Sequence, residues 1–260
     1  MGGVIAAFFG RQTVFALNAL SFIVSGLLIQ RMKFEEPHLR DLAPFRVRDL
    51  FDFRPIAEGF RYVRSNSRLA ATMLVKAGLG LIGTNWVILP ILGRESFPVQ
   101  LAGLTGDQSA TLGMSLLLGA RGVGAILGPL VAGYWARSSQ ERMRPAIVVG
   151  FLMASAGYLL LSVVNNTWMA GFSVALAHAG TSITWVFSTT LLQLNTEDKF
   201  RGRVFSVEFG FSVAMMAVMS STAGVLIDQG ISPFGLAAVT GAVMLIPAFV
   251  WLFALRLWRE

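Results

Sequence analysis

The sequence predicts an all-α membrane protein with seven transmembrane helices, and three observations carry that prediction. Mean hydropathy is +0.66, with 55% hydrophobic and only 13% charged residues, well outside the range of soluble domains. Apolar stretches long enough to cross ~30 Å of hydrocarbon recur seven times, at residues 12–30, 69–92, 109–135, 146–164, 167–194, 204–227 and 234–255. Basic residues crowd into every second gap: 17 of the 21 fall on one side, and only Arg11 and Arg94 on the other. Cytoplasmic loops retain Lys and Arg, so the crowded side, with the C-terminus, is expected in the cytoplasm.

Taken in order, residues 2–9 form an apolar stub that would cover only ~12 Å as a helix. The stub lacks the basic flank of a signal peptide. It reads as the last turns of a helix that began earlier, so the chain is expected to start inside a larger architecture. The first span follows. Residues 31–68 are the one long loop, with nine basic and six acidic residues and breaks at Pro37, Pro44 and Pro55. In its second half Ile56, Phe60 and Val63 recur at helical spacing beside Arg54, Arg61 and Arg64. That pattern suits an amphipathic helix on the inner membrane surface, or a solvated connector.

Six spans joined by short turns come next, and they divide into two sets of three that enter the membrane from opposite sides. Inverted triplets of this kind build many secondary transporters. The expected division is residues 1–30 as the remnant of a preceding half, 31–68 as cytoplasmic linker and 69–260 as a six-helix body. Small residues prepare close helix contacts: Gly124 with Gly128, the row Gly171, Ala175 and Ala179, and Ala237 with Gly241.

Composition narrows the function. A net charge of +7 does not imply nucleic acid, because the basic residues sit in short interhelical loops, where topology and anionic headgroups explain them. The chain has no cysteine and only two histidines. That excludes thiolate metal sites, disulfides and multi-histidine centres. No cofactor is implied, and the expected partners are the lipid bilayer and a small-molecule substrate.

Ionisable groups inside the membrane cost ~3 kcal/mol each on the mildest scale and so mark partners or water-filled cavities. Arg121 and His178 lie roughly 16–18 Å from the outer end of their spans by helical rise, near the midplane. Lys76 and Glu208 sit closer to the cytoplasmic ends, where they could pair or snorkel. Arg121 with Glu208 is a second conceivable structural pair. Three polar stripes emerge at 100° per residue: Thr72, Lys76, Gly80 and Gly83 on the second span; His178, Ser182, Trp185 and Thr189 on the fifth; Glu208, Ser212, Met215, Met219 and Thr222 on the sixth. Lipid does not tolerate such faces, so they are expected to turn inward and line a cavity. None of the four ionisable groups has an arrangement that suggests hydrolytic catalysis, and no enzyme is expected.

The strings FALNALSFIVSGLL in the first span, GARGVGAILGPLVAGYWAR in the third and EDKFRGRVFSVEFG at the sixth resemble the major facilitator superfamily. They are most similar to its branch of bacterial exporters for enterobactin and macrolides. The resemblance implies an inner-membrane efflux protein for amphipathic or siderophore-like compounds. It aligns the first span with the sixth of twelve family helices and the remaining spans with the C-terminal six-helix half, so a missing N-terminal half or second subunit would complete the transporter. It implies a cavity lined by spans two and five, flanked by three and six, with four and seven facing lipid. It also implies an inner gate around Gly128, Gly133, Arg137 and Arg142, and around Arg201 and Arg203. The family's gating motif carries an Asp-Arg core after its glycine; here Gly133 leads to Ala136 and Arg137, and the aspartate is absent. A seven-helix receptor is the competing reading, disfavoured because the long loop follows the first span.

Overall fold

The computed structural model describes residues 2–32 and 54–257, and every regular element among them is helical. In chain order these are α1 (Gly2–Phe9), α2 (Arg11–Arg31), α3 (Arg54–Arg64), α4 (Ser67–Gly80), α5 (Asn85–Ile91), α6 (Gly106–Ala136), α7 (Gln140–Leu161), α8 (Thr167–Leu194), α9 (Asp198–Asp228), α10 (Pro233–Val243) and α11 (Leu245–Leu257). Among the described residues seven stretches are long and apolar enough to cross a membrane: α2, α4 with α5, α6, α7, α8, α9, and α10 with α11. All seven fall where the hydropathy placed them. Most of the expected linker, with His38, and the last three residues, with Arg259, lie outside the described residues.

The helix starts follow from local chemistry. Asn66 Oδ1 accepts hydrogen bonds from the amides of Arg68 and Leu69 at the start of α4, and Asn166 does the same for Trp168 and Met169 at the start of α8. Thr105 and Gln108 form a reciprocal capping box on α6. Ser232 caps α10 just ahead of Pro233. Each arrangement satisfies amides that the first helical turn leaves without partners.

Helix α8 is the centre of the packing, sandwiched between α6 and α7. On one side Gly124 and Gly128 meet Ala175 and Ala179 so closely that a Cβ on either glycine would overlap the opposing carbonyl oxygen. On the other side Gly150 and Gly180 approach in the same way. In a solvent as apolar as the side chains, such backbone contact and its dispersion energy supply the association. The small-residue rows of the sequence therefore have a definite use: Gly124 and Gly128 bring α6 against α8, and Gly241 brings α10 against α7, while Gly150 and Gly180 at the α7–α8 contact belong to no row.

The fourth and seventh spans, expected to face lipid, each combine an open face with one buried in the bundle. One face of α7 does look outward, through Val149, Leu152 and Leu159. Its other face buries Ile147, Phe151, Ala154 and Tyr158 against α8 and α10, and Trp251 of α11 is also buried. The most open spans of the six-helix body are instead α6 and α9, with large apolar side chains such as Ile126, Leu130, Phe209 and Val218 exposed. The first span, α2, is exposed continuously from Phe15 to Arg31, and α1 bends back at Gly10 to pack on α6 and α2.

Two local features position the candidate site. The second span is not one straight helix: α4 gives way to a 3-10 turn at Leu81–Thr84, then α5, then a π turn at Leu92–Ser96. The break coincides with α9 pressing on it, since a Cβ at Gly80 would lie 2.5 Å from Met215 Cγ and one at Gly83 would lie 2.5 Å from the Met216 carbonyl oxygen. At one end of the bundle α3 docks on the start of α9 rather than lying free. Val63 is buried with Leu69, Met73 and Val204, Tyr62 stacks on Phe200 at 4.3 Å, and Arg203 bridges to Glu58 at 2.8 Å. Phe60 of the expected apolar face points outward.

Candidate functional site

Spans two, three, five and six converge on a cavity of about 160 Å³. The broken second span contributes Asn85 and Trp86, α6 contributes Arg121, α8 contributes His178, Ser182 and Trp185, and α9 closes the wall with Ser212 and Met216. Arg121 is the central residue of α6, fifteen positions from either end of Gly106–Ala136. The cavity thus lies at mid-depth in the bundle.

The polar groups here are held by contacts that fix their orientation. The Arg121 guanidinium lies over the Trp86 ring, 4.3 Å from its centroid, a cation–π contact that gains strength away from water. The Trp86 indole N–H donates to Met216 Sδ at 3.3 Å, which anchors the ring. His178 Nε2 is 3.4 Å from the Tyr158 hydroxyl, both side chains being buried. Asn85 donates through Nδ2 to the Ile82 carbonyl at 2.6 Å. Its buried Oδ1 has no partner among the described residues.

A second cluster lies beside the same cavity, nearer the α3 end of the bundle. Lys76 Nζ stands 3.0 Å from Glu208 Oε1, donates to Thr189 Oγ1 at 2.7 Å, and sits 3.4 Å from the centroid of the Trp185 ring. With Lys76 1% and Glu208 4% exposed, snorkelling is ruled out for the lysine in this conformation. Glu208 pairs with Lys76 and not with Arg121. Trp185 joins the two clusters, one part of its ring over Lys76 and the rest on the cavity wall.

The remaining candidates separate. Thr72 donates to the Arg68 carbonyl and faces a small cleft with Arg144 and Asn195, away from the cavity. Met215 packs on Gly80, and Met216 is the methionine that reaches the cavity. Thr222, at the C-terminal end of the third stripe, is exposed. Of the expected gate residues, Gly128 serves the α6–α8 contact, while Gly133 meets no neighbour and accepts from the Arg137 amide through its carbonyl. Arg137 takes a left-handed φ of 46° and ends α6. Arg142 donates to the Trp135 carbonyl at 3.0 Å. Arg201 pairs with Asp198, and Arg203 with Glu58, each at 2.8 Å. Asn195 donates to Gln140 at 3.2 Å and so ties the α8–α9 turn to the start of α7.

Asn85, Trp86 and Tyr158 were missed by the stripe analysis. A polar Asn and an indole deep within the second span were visible signals. Their phase could not be followed past the 3-10 turn, where each residue advances 120° instead of 100°. Tyr158 lay on a span whose other residues read as lipid-facing.

The sequence profile of the Major Facilitator Superfamily matches residues 1–207. Among solved structures, the fucose:proton symporter of Escherichia coli is similar in fold, with a TM-score of 0.61 at 12% sequence identity, over 94% of this chain and 57% of the symporter. The chain therefore spans a little over half the length of that transporter. No curated protein matches it. With four-fifths of its length covered by the family profile, this multi-pass membrane protein belongs to the Major Facilitator Superfamily, a family of membrane transporters.

Proposed function

We propose that the chain handles substrate in a secondary transporter of the bacterial inner membrane, one that exports amphipathic or siderophore-like small molecules by alternating access. The observation that carries this reading is the mid-depth cavity itself, where Arg121, His178 and Ser182 share a wall with the faces of Trp86 and Trp185. Polar groups fix a ligand's orientation, aromatic faces accept its apolar body, and a site at the bilayer midplane is where a rocking pair of helical halves can expose it to either side. The basic alternation supports a cytoplasmic C-terminus. Alternating access needs two such halves, and the open faces of α2, α6 and α9 suit a second one, supplied by the same polypeptide or by another subunit.

The test is dye extrusion from cells expressing the native gene, using neutral Nile red and anionic carboxyfluorescein, with membrane levels matched by immunoblot. Expression is expected to lower accumulation of at least one dye, and Arg121→Gln and His178→Ala to slow that extrusion, Arg121→Gln by about tenfold, the effect of one lost charge-assisted contact. Unchanged accumulation on expression, or extrusion at the unaltered rate in both variants, would overturn the proposal.

A further inference from the structure

The charges within the membrane do not balance at the cavity. Among the described residues Glu208 is the one carboxylate in the body of a span, and it is engaged by Lys76 at 3.0 Å. Arg121 has neither an ion-pair nor a hydrogen-bond partner among them; the ring of Trp86 stacks on it, and Tyr158 and His178 lie near enough for electrostatic interaction without a carboxylate to neutralise it. The Trp86 ring covers a face of the guanidinium. The five N–H donors lie in the plane of the group, at right angles to the stack, and stay available to a ligand at its edge. Arginine does not lose its proton at any accessible pH, so the site holds a fixed positive charge in a medium where an uncompensated ion is costly.

We infer that this cavity is a binding site for organic anions: an acidic group of the ligand, a carboxylate or a group of like geometry, docks on the edge of Arg121. The inference rests on the transporter reading and names the substrate class of the same site. Two further features describe the rest of the ligand. Asn85 Oδ1 is buried without a donor, which a hydroxyl or N–H on the ligand would supply. Trp86 and Trp185 are partly exposed, 50% and 38%, and offer flat apolar surface to a planar or hydrophobic body. Phospholipid headgroups are not the source of the anion, because fifteen residues of helix separate Arg121 from either end of α6, roughly 22 Å at 1.5 Å per residue. The Lys76 ammonium adds no second anion site, since its carboxylate, hydroxyl and aromatic partners already surround it.

The matched ligands 2-naphthoate and 2-naphthamide share shape and ring and differ in charge. Binding of each, radiolabelled, is measured to the purified full chain in phosphatidylcholine nanodiscs. Naphthoate is expected to bind saturably and at least about tenfold more tightly than naphthamide, the scale of one charge-assisted pair. Arg121→Gln is expected to bring the two to within about twofold, while Arg121→Lys keeps part of the preference and Val123→Ala, on the exposed face of the same helix, keeps all of it. A circular-dichroism melt checks that the variants fold, and the lysine variant keeps the result interpretable if the glutamine variant does not. Equal affinities in the unaltered chain, no saturable naphthoate binding, or full preference surviving in Arg121→Gln would each overturn the inference. Failure here with intact Nile red extrusion leaves the transporter standing; charge-selective binding without extrusion of either dye removes transport and keeps the anion site.

Discussion

Lys76 and Glu208 show how a buried ion pair constrains a membrane helix bundle. Both are almost fully buried and they link α4 to α9, with Thr189 of α8 as a third partner. Removing one member leaves the other charged and unpaired, whereas removing both leaves apolar neighbours that can close up. Lys76→Met and Glu208→Leu are therefore expected to destabilise the chain singly by about 3–5 kcal/mol, and the double variant by much less. Thermal unfolding in detergent micelles reads this directly. A double variant as unstable as the sum of the singles would mean no coupling between the two residues and would contradict the pairing. The pairing also decides between expectations. Depth alone left Lys76 free to snorkel and Arg121 free to take the acid, and only the rotation of α4 against α9 decides between the two.

The helices carry their instructions unevenly. Their existence, length and order were legible, because an apolar run of twenty residues has few alternatives once backbone groups must be satisfied in lipid. Their rotation was legible where a helix stays regular: His178, Ser182 and Trp185 were read as one face of α8, and all three reach the cavity. It failed where regularity fails. The 3-10 turn at Leu81–Thr84 shifts the phase of everything after it, which hid Asn85 and Trp86. On α9 a difference of one residue, Met216 for Met215, is a turn of 100°, finer than hydropathy can resolve. Close contacts were legible as small-residue spacing but not as pairs. Gly124→Ala and Gly128→Ala are each expected to lower stability by roughly 1–3 kcal/mol, since the added methyl meets the α8 backbone, which cannot rotate away. Val123→Ala, on the open face of α6, should stay within about 0.5 kcal/mol. Differential thermal melts of the three variants decide it.

For the whole molecule the decisive matter is whether the space between spans two, three, five and six is a water-accessible substrate cavity or merely a packing defect among helices. The chain has no cysteine, so single cysteines report without background. Ala125 and Ser182 line the cavity, Phe151 is in the core, and Ile126 is exposed on the outer face of α6. A charged methanethiosulfonate reagent reacts with the thiolate, which needs water to form. The direct measurement is its labelling rate on Ala125→Cys, Ser182→Cys, Phe151→Cys and Ile126→Cys in proteoliposomes. Labelling at 125 and 182 is expected to be at least about tenfold faster than at 126 and 151, given the thiolate fraction each environment permits, and to slow when 2-naphthoate is present. Cysteines at 125 and 182 as inert as the one at 151 would mean that the cavity is closed and dry, and the transport reading of this site would fall.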